Sequence, residues 1–131
     1  MARAVLRLES MWFARFPDEL GWLYAMHQRW DDALPHFEEA YEAASSASTA
    51  DSHPLANIMS GLGVSLGQTG QPERAESLLS EALDMFVRLG ADEDALGQAA
   101  LNLAAEYDRD GRTDAARELR VKYGVGRPEP A

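Results

Sequence analysis

Apolar residues recur every third or fourth position along most of the chain, in stretches divided by glycine, proline and small polar residues. Leu20, Leu23, Tyr24 and His27 make one such stretch, and Leu78, Leu79, Ala82, Leu83 and Phe86 another. Leu101, Leu103, Ala104 and Tyr107 make a third. Side chains at this spacing share one face of a helix, so the pattern predicts helices with a single buried stripe. No run alternates β-branched with polar residues, and strands are not expected.

The breaks carry helix-end chemistry. Pro17 followed by Asp18 and Glu19 suits a first turn, where the donor that proline lacks would have no partner anyway and acidic side chains meet the positive end of the helix. Asp31 and Asp32 can cap the next helix, with Pro35 inside its first turn. Pro54 and Pro72 open later helices, and Thr113 is a natural cap for the last. Gly70, Gly90, Gly111 and Gly124 fall where helix-ending residues of positive φ belong. These signals predict helices near 3–15, 17–28, 32–46, 54–69, 72–89, 93–110 and 114–123. Ala43 to Ser52 should begin as helix and fray. The tail 124–131 (GVGRPEPA), rich in glycine and proline, is expected to be disordered.

The chain also repeats itself. Leu20-Gly21 and Leu62-Gly63 are each followed by alanines at matching positions, Ala33 and Ala40 in one stretch, Ala75 and Ala82 in the other. A third copy keeps Leu103 and Ala116 and replaces the glycine by Ala104, giving a spacing of 42 residues from Gly21 to Gly63 and 41 from Gly63 to Ala104. Two antiparallel helices reach the short end of the usual 8–10 Å separation only with small residues at their crossing, roughly the spacing found between closely packed helices. Gly21 is therefore expected against Ala33, Gly63 against Ala75 and Ala104 against Ala116. Gly61 and Gly67 have no such role in the repeat, which leaves close approach of a neighbour or of a ligand's backbone as their reason.

Leu20, Gly21, Tyr24, Ala33, Phe37 and Ala40 together resemble the tetratricopeptide repeat, and the longer period resembles the variant found in kinesin light chains. The resemblance covers about Arg15 to Tyr123. It implies an all-α fold, a right-handed superhelical array of antiparallel helix pairs (an α-solenoid) of about seven helices. One domain over 1–123 would hold an N-terminal helix (3–15) and repeats at about 14–50, 54–90 and 93–123. Pro17, Arg120 and Tyr123 depart from the family pattern, so the first helix should be short or kinked and the last truncated or loosely packed. The segment Met1 to Phe13, with Val5, Leu6, Leu8, Met11, Trp12 and Phe13, is too apolar for a solvated helix and should cover the N-terminal face of the first pair or form a dimer. At the other end, Leu119 and Val121 are expected to be partly exposed.

By the same resemblance, the first helix of each pair lines a concave groove that binds peptides or helices. The residues expected there are Arg15, Trp22, Met26, Arg29, Asn57, Ser60, Val64, Gln68, Gln98, Leu101, Arg109 and Arg112. The four arginines point to an acidic peptide with an apolar anchor near Trp22 and Met26, although pairing of Arg15 and Arg29 with nearby carboxylates is the competing reading. Family members that hold chaperone tails use a lysine- and asparagine-rich clamp, and Asp18 and Trp22 stand in two of those places here, which speaks against that activity.

Composition narrows the function further. The chain's 131 residues make room for one domain, and 46% hydrophobic content suits a packed globule. A net charge of −10 argues against nucleic acid or an anionic membrane as partner. The absence of cysteine excludes disulfides, thiol nucleophiles and thiolate metal sites. No apolar run approaches the roughly 18 residues of a membrane span, and a cytoplasmic location is expected. Gly63-Val64-Ser65-Leu66-Gly67 matches a nucleophile elbow, but that motif needs a strand entering and a helix leaving, and here helical periodicity lies on both sides. His27, His36 and His53 share no metal-ligand spacing, and Asp108, Asp110 and Asp114 lack the glycine and final glutamate of a calcium loop. No cofactor or metal is implied. The expectation is a non-enzymatic interaction module, an adaptor or scaffold. The alternatives are a self-assembling unit that oligomerises through its end helices, or a sensor of short signalling peptides.

Overall fold

The structure, a computed structural model, describes residues 17–47 and 50–126. The expected helix over 3–15, Arg15, and residues 127–131 of the expected tail lie outside the described residues. Among those described there are six helices and no strand. They are α1 (Pro17–Met26), α2 (Trp30–Ala47), α3 (His53–Gln68), α4 (Pro72–Arg88), α5 (Glu93–Arg109) and α6 (Thr113–Tyr123). Neighbours in sequence are neighbours in space: α1 with α2, α3 with α4 and α5 with α6 form hairpins, and α2–α3 and α4–α5 contacts stack one hairpin on the next. This is the all-helical array of pairs that the repeat predicts.

The turns inside the hairpins share one hydrogen-bond pattern. The N–H of Arg29 donates to the Tyr24 carbonyl (2.9 Å), that of Gln71 to Leu66 (2.8 Å) and that of Arg112 to Tyr107 (2.8 Å). Each closes a helix whose penultimate turn residue lies in the left-handed region: Gln28 at φ 58°, Gly70 at 90° and Gly111 at 79°. Gln28 occupies in the first hairpin the place that glycine fills in the other two, and it carries the steric penalty a Cβ meets there. At the start of α3 the Ser52 side chain accepts from the Leu55 N–H (3.1 Å), and Asp92 does the same for Ala95 (2.9 Å) at the start of α5. Thr113 does not cap α6. Thr113 is itself the first residue of the helix, and the cap position is Arg112, without a side-chain hydrogen bond. Pro35 lies in the second turn of α2, since that helix starts at Trp30 and not at 32.

The repeated small residues are all fully buried: Ala33, Ala75, Ala104 and Ala116 expose no surface. Their partners are more specific than a meeting of small with small. A Cβ at Gly63 would meet the Leu79 side chain (2.7 Å) and the Ala75 carbonyl (3.3 Å), so this crossing is as expected. A Cβ at Gly21 would meet the Phe37 ring at 2.9 Å, which makes that ring its nearest neighbour. The same ring lies against Gly61 of α3. Phe37, completely buried, is thus clamped between glycines on two successive first helices, and this supplies the packing reason for Gly61 that the repeat pattern lacks. The helix α3 buries residues on most of its circumference, from Leu55 to Leu66.

After α6, Gly124 turns left-handed, and the N–H of Val125 donates to the Arg120 carbonyl (3.0 Å). The Val125 side chain then rests against Gly97 and Gly126 against Leu101, so this stretch of the expected tail follows a defined course on α5. Leu119 and Tyr123 pack against the core, and Val121 is exposed.

Candidate interaction surface

The backbones of α1 and α3 approach one another, as do those of α3 and α5, whereas among the described residues those of α2, α4 and α6 do not. The array is therefore closed on the side of the first helices and splayed on the side of the second, which puts α1, α3 and α5 on the inner curve. Side chains bridge the splayed side: Arg74 reaches Glu38 (2.9 Å) and Arg112 reaches Glu76 (2.5 Å). Arg88 of α4 grips Asp51, just before α3, through two hydrogen bonds of 2.7 and 3.1 Å. The hydrogen bond from Arg88 holds the Asp51 carboxyl below the usual carboxylate range.

The inner row presents some of the anticipated residues and withholds others. Trp22 lies edge-on to Phe37, with ring centroids 5.0 Å apart, and keeps 37% of its surface exposed. Met26, one turn on, is 79% exposed. Asn57 and Gln68 are exposed on α3. Gln98 is exposed on α5 and donates to the Asn102 side chain (3.2 Å). Val64 and Leu101 are half-buried, Val64 against the core and Leu101 beneath Gly126. Ser60 is buried, and its hydroxyl donates to the Ala56 carbonyl (3.0 Å), so it offers a ligand nothing.

The arginines stand differently from their place in the sequence pattern. Arg29 and Arg112 belong to the turns within hairpins, where each lies over a tyrosine, Arg29 over Tyr24 (5.0 Å) and Arg112 over Tyr107 (4.4 Å). Arg29 also pairs with Asp32 (2.7 Å) and Arg112 with Glu76. Arg109 pairs with Glu106 (3.1 Å). Each described arginine of the expected groove thus already faces a carboxylate of this chain.

Glu106 is a feature that sequence pattern alone does not reveal. Its side chain is 2% exposed, and Oε2, set against Gly67 of α3, has no hydrogen-bond donor. Burial pushes its carboxyl above the ordinary value; the Arg109 guanidinium opposes that rise, and the charges of Asp110 and Glu76 add to it. Gly67 exists to admit this carboxylate, because a Cβ there would overlap it. Ser65, the centre of the nucleophile-elbow match, sits within α3 with its Oγ fully buried, and helix continues on both sides. Among the described residues no helix is long and apolar enough to cross a membrane.

Comparison with known proteins agrees with the fold. The family model described as "Tetratricopeptide repeat" matches residues 18–87 and 54–119. No curated protein matches the sequence. Among solved structures the chain is similar to BtubC (BKLC) from P. vanneervenii, with a TM-score of 0.65 and 22% identity over 88% of this chain. That match takes in 49% of the BtubC chain, so the likeness is to the fold of about half of the larger protein.

Proposed function

Because the chain belongs to the tetratricopeptide repeat family, we propose that it is a binding scaffold whose inner row of helices holds a segment of another protein. Repeats of this family generally mediate protein–protein interaction, and the fold is typically a scaffold without catalysis. The observation that carries the finer reading is the accessible strip of Trp22 and Met26 on α1, Asn57 and Gln68 on α3 and Gln98 on α5, over a core closed beneath it. Trp22 and Met26 supply a broad apolar anchor point, and the amide side chains can donate to and accept from the peptide groups of an extended or helical ligand. An acidic ligand is not favoured by charge, since its carboxylate would have to displace Asp32, Glu106 or Glu76 from the arginines that they hold. Selection of peptides from a displayed random library on the purified protein tests the proposal. Peptides enriched on the protein should lose at least tenfold in affinity, about 1.4 kcal/mol, when Gln68 and Met26 are both replaced by aspartate. They should keep it when Glu81 on the outer side of α4 is replaced by alanine. Equal binding to both variants would refute the inner row as the site.

A second reading, self-assembly through the C-terminal end, is favoured by Val121, which is 69% exposed beside a pocket that Arg117, Arg120 and Val125 also line. Light scattering over a range of concentrations distinguishes it, for a monomer at every concentration contradicts assembly.

A further inference from the structure

Charge is divided unevenly between the inner and outer helices. The outer helices carry five charged side chains on α2, six on α4 and five on α6. The middle inner helix, α3, holds no aspartate, glutamate, lysine or arginine in its 16 residues. Burial accounts for ten of those residues, but His53, Pro54, Asn57 and Gln68 are exposed and belong to none of these four types either. The repeat sets the accessible inner positions in lines that cross the helices. Trp22, Val64 and Ala105 form an apolar line, and Asn57 and Gln98 an amide line. In the line of Met26, Gln68 and Arg109, the one charge is held by Glu106 (3.1 Å). Glu19, one turn before Trp22, and Asp94, one turn before Gln98, bound these lines at α1 and at the start of α5.

We propose that the partner segment is extended, and uncharged where it crosses α3 and α5, with one large apolar side chain anchored on Trp22 and Met26. This rests on the inner row being the binding surface and adds the chemistry of what lies there. A charged side chain laid over α3 would lose water and meet no opposite charge, so a charge of either sign is excluded there by desolvation and not by repulsion. The amides suit peptide groups. The Gln98 side chain donates to that of Asn102 (3.2 Å), which leaves N–H donors on Asn102 and a carbonyl acceptor on Gln98. A helical ligand spends its own N–H and C=O groups internally, whereas an extended one presents both to such a pair. Spacing sets the register. Packed helices lie about 8–10 Å apart, and an extended chain covers that distance in about three residues at about 3.3 Å each. The anchor on α1 and the contacts on α3 and α5 therefore fall at intervals of about three residues along the ligand.

The probe is the peptide most enriched on the purified full chain from a displayed random library, with binding read by fluorescence anisotropy. Scanning that peptide with lysine and with glutamate should weaken binding about tenfold or more, whichever the sign, at positions about three and about six residues from its apolar anchor. The Kd should change less than about twofold between roughly 0.05 and 0.5 M salt, because no ion pair is screened. Gln98→Glu should make lysine the tolerated substitution at the position about six residues from the anchor, which a purely steric contact would not do. A peptide that accepts or gains from one sign of charge at these positions, or a Kd that moves tenfold with salt, overturns the proposal in favour of ionic recognition. Sensitive positions about six residues apart, the spacing of a ligand that rises about 1.5 Å per residue, overturn it in favour of a helix. A peptide that binds equally well when Met26 and Gln68 are both aspartate removes the inner row and this inference together. Any of the other failures, in a peptide which that double variant rejects, removes this inference alone.

Discussion

Replacing Gly61 by alanine sets two effects of comparable size against each other. Glycine in a helix interior costs about 1 kcal/mol relative to alanine, so at an open position the change would stabilise α3 by about that amount. Position 61 is closed. An added Cβ would lie 2.6 Å from Cζ and 2.9 Å from Cδ1 of Phe37, where ordinary contact is 3.4 Å or more. The ring is already crowded, for a Cβ at Gly21 would meet the same ring atoms at 2.9 Å, and the Trp22 ring packs on it with centroids 5.0 Å apart. Overpacking of this kind costs about 1–3 kcal/mol, and a ring crowded from two helices belongs at the upper end. The net prediction for Gly61→Ala is a loss of about 1–2 kcal/mol, read as a lower urea midpoint at unchanged m-value by far-ultraviolet circular dichroism. In a Phe37→Leu background, where the ring is gone, the same change should be neutral or favourable, giving a coupling of about 1 kcal/mol or more between the positions. If Gly61→Ala stabilises the protein by about its helix propensity and the two changes add, Phe37 is not clamped and the packing argument fails.

Three further outcomes follow from the same geometry. Glu106→Gln should stabilise the protein at pH 7 and lose that advantage in acid. The folded carboxyl titrates above its unfolded counterpart, so the native state is penalised only once pH rises past the ordinary carboxylate value; equal midpoint differences at pH 7 and pH 4 would contradict this. Gln28→Gly should stabilise by about 0.5–1 kcal/mol, the steric relief of a left-handed position less the greater freedom of an unfolded glycine, and a fall in melting temperature would contradict it. Asp51 should titrate by NMR below the exposed carboxylates and return to their range in Arg88→Met. Its contribution to stability is present at neutral pH and lost as pH falls through the depressed value; an unmoved titration would show that the pair does not persist in solution.

What periodicity could reveal, it did. The small residues at 33, 75, 104 and 116 mark helix crossings because the same steric demand recurs in each hairpin, and a demand that recurs leaves a pattern. Single events leave none. Gly61 corresponds in the repeat to Glu19 and Asn102, so its contact with Phe37 occurs once and cannot be inferred from spacing. The same holds for Arg74 with Glu38 and Arg112 with Glu76, partners 36 residues apart that only the stacking angle brings together. Placement on an exposed helix face was legible for Asn57 and Gln98 within their helices and for Gln68 at the end of α3. It failed for Ser60, because α3 is packed on more of its circumference than a helix with one buried stripe. It failed also for Arg29 and Arg112, whose long side chains reach from turns to carboxylates outside the inner row.

The central claim, that the inner row is where this scaffold meets another protein, is tested most directly by photo-crosslinking inside the native host. A photoreactive residue is placed at Gln68 or Gln98 on the inner row, or at Glu73 or Asp84 on α4, and the crosslinked peptides are sequenced. The account predicts crosslinks to a defined segment of another protein from Gln68 and Gln98 and none to that segment from Glu73 or Asp84. Crosslinks to one partner from the α4 positions alone would contradict it.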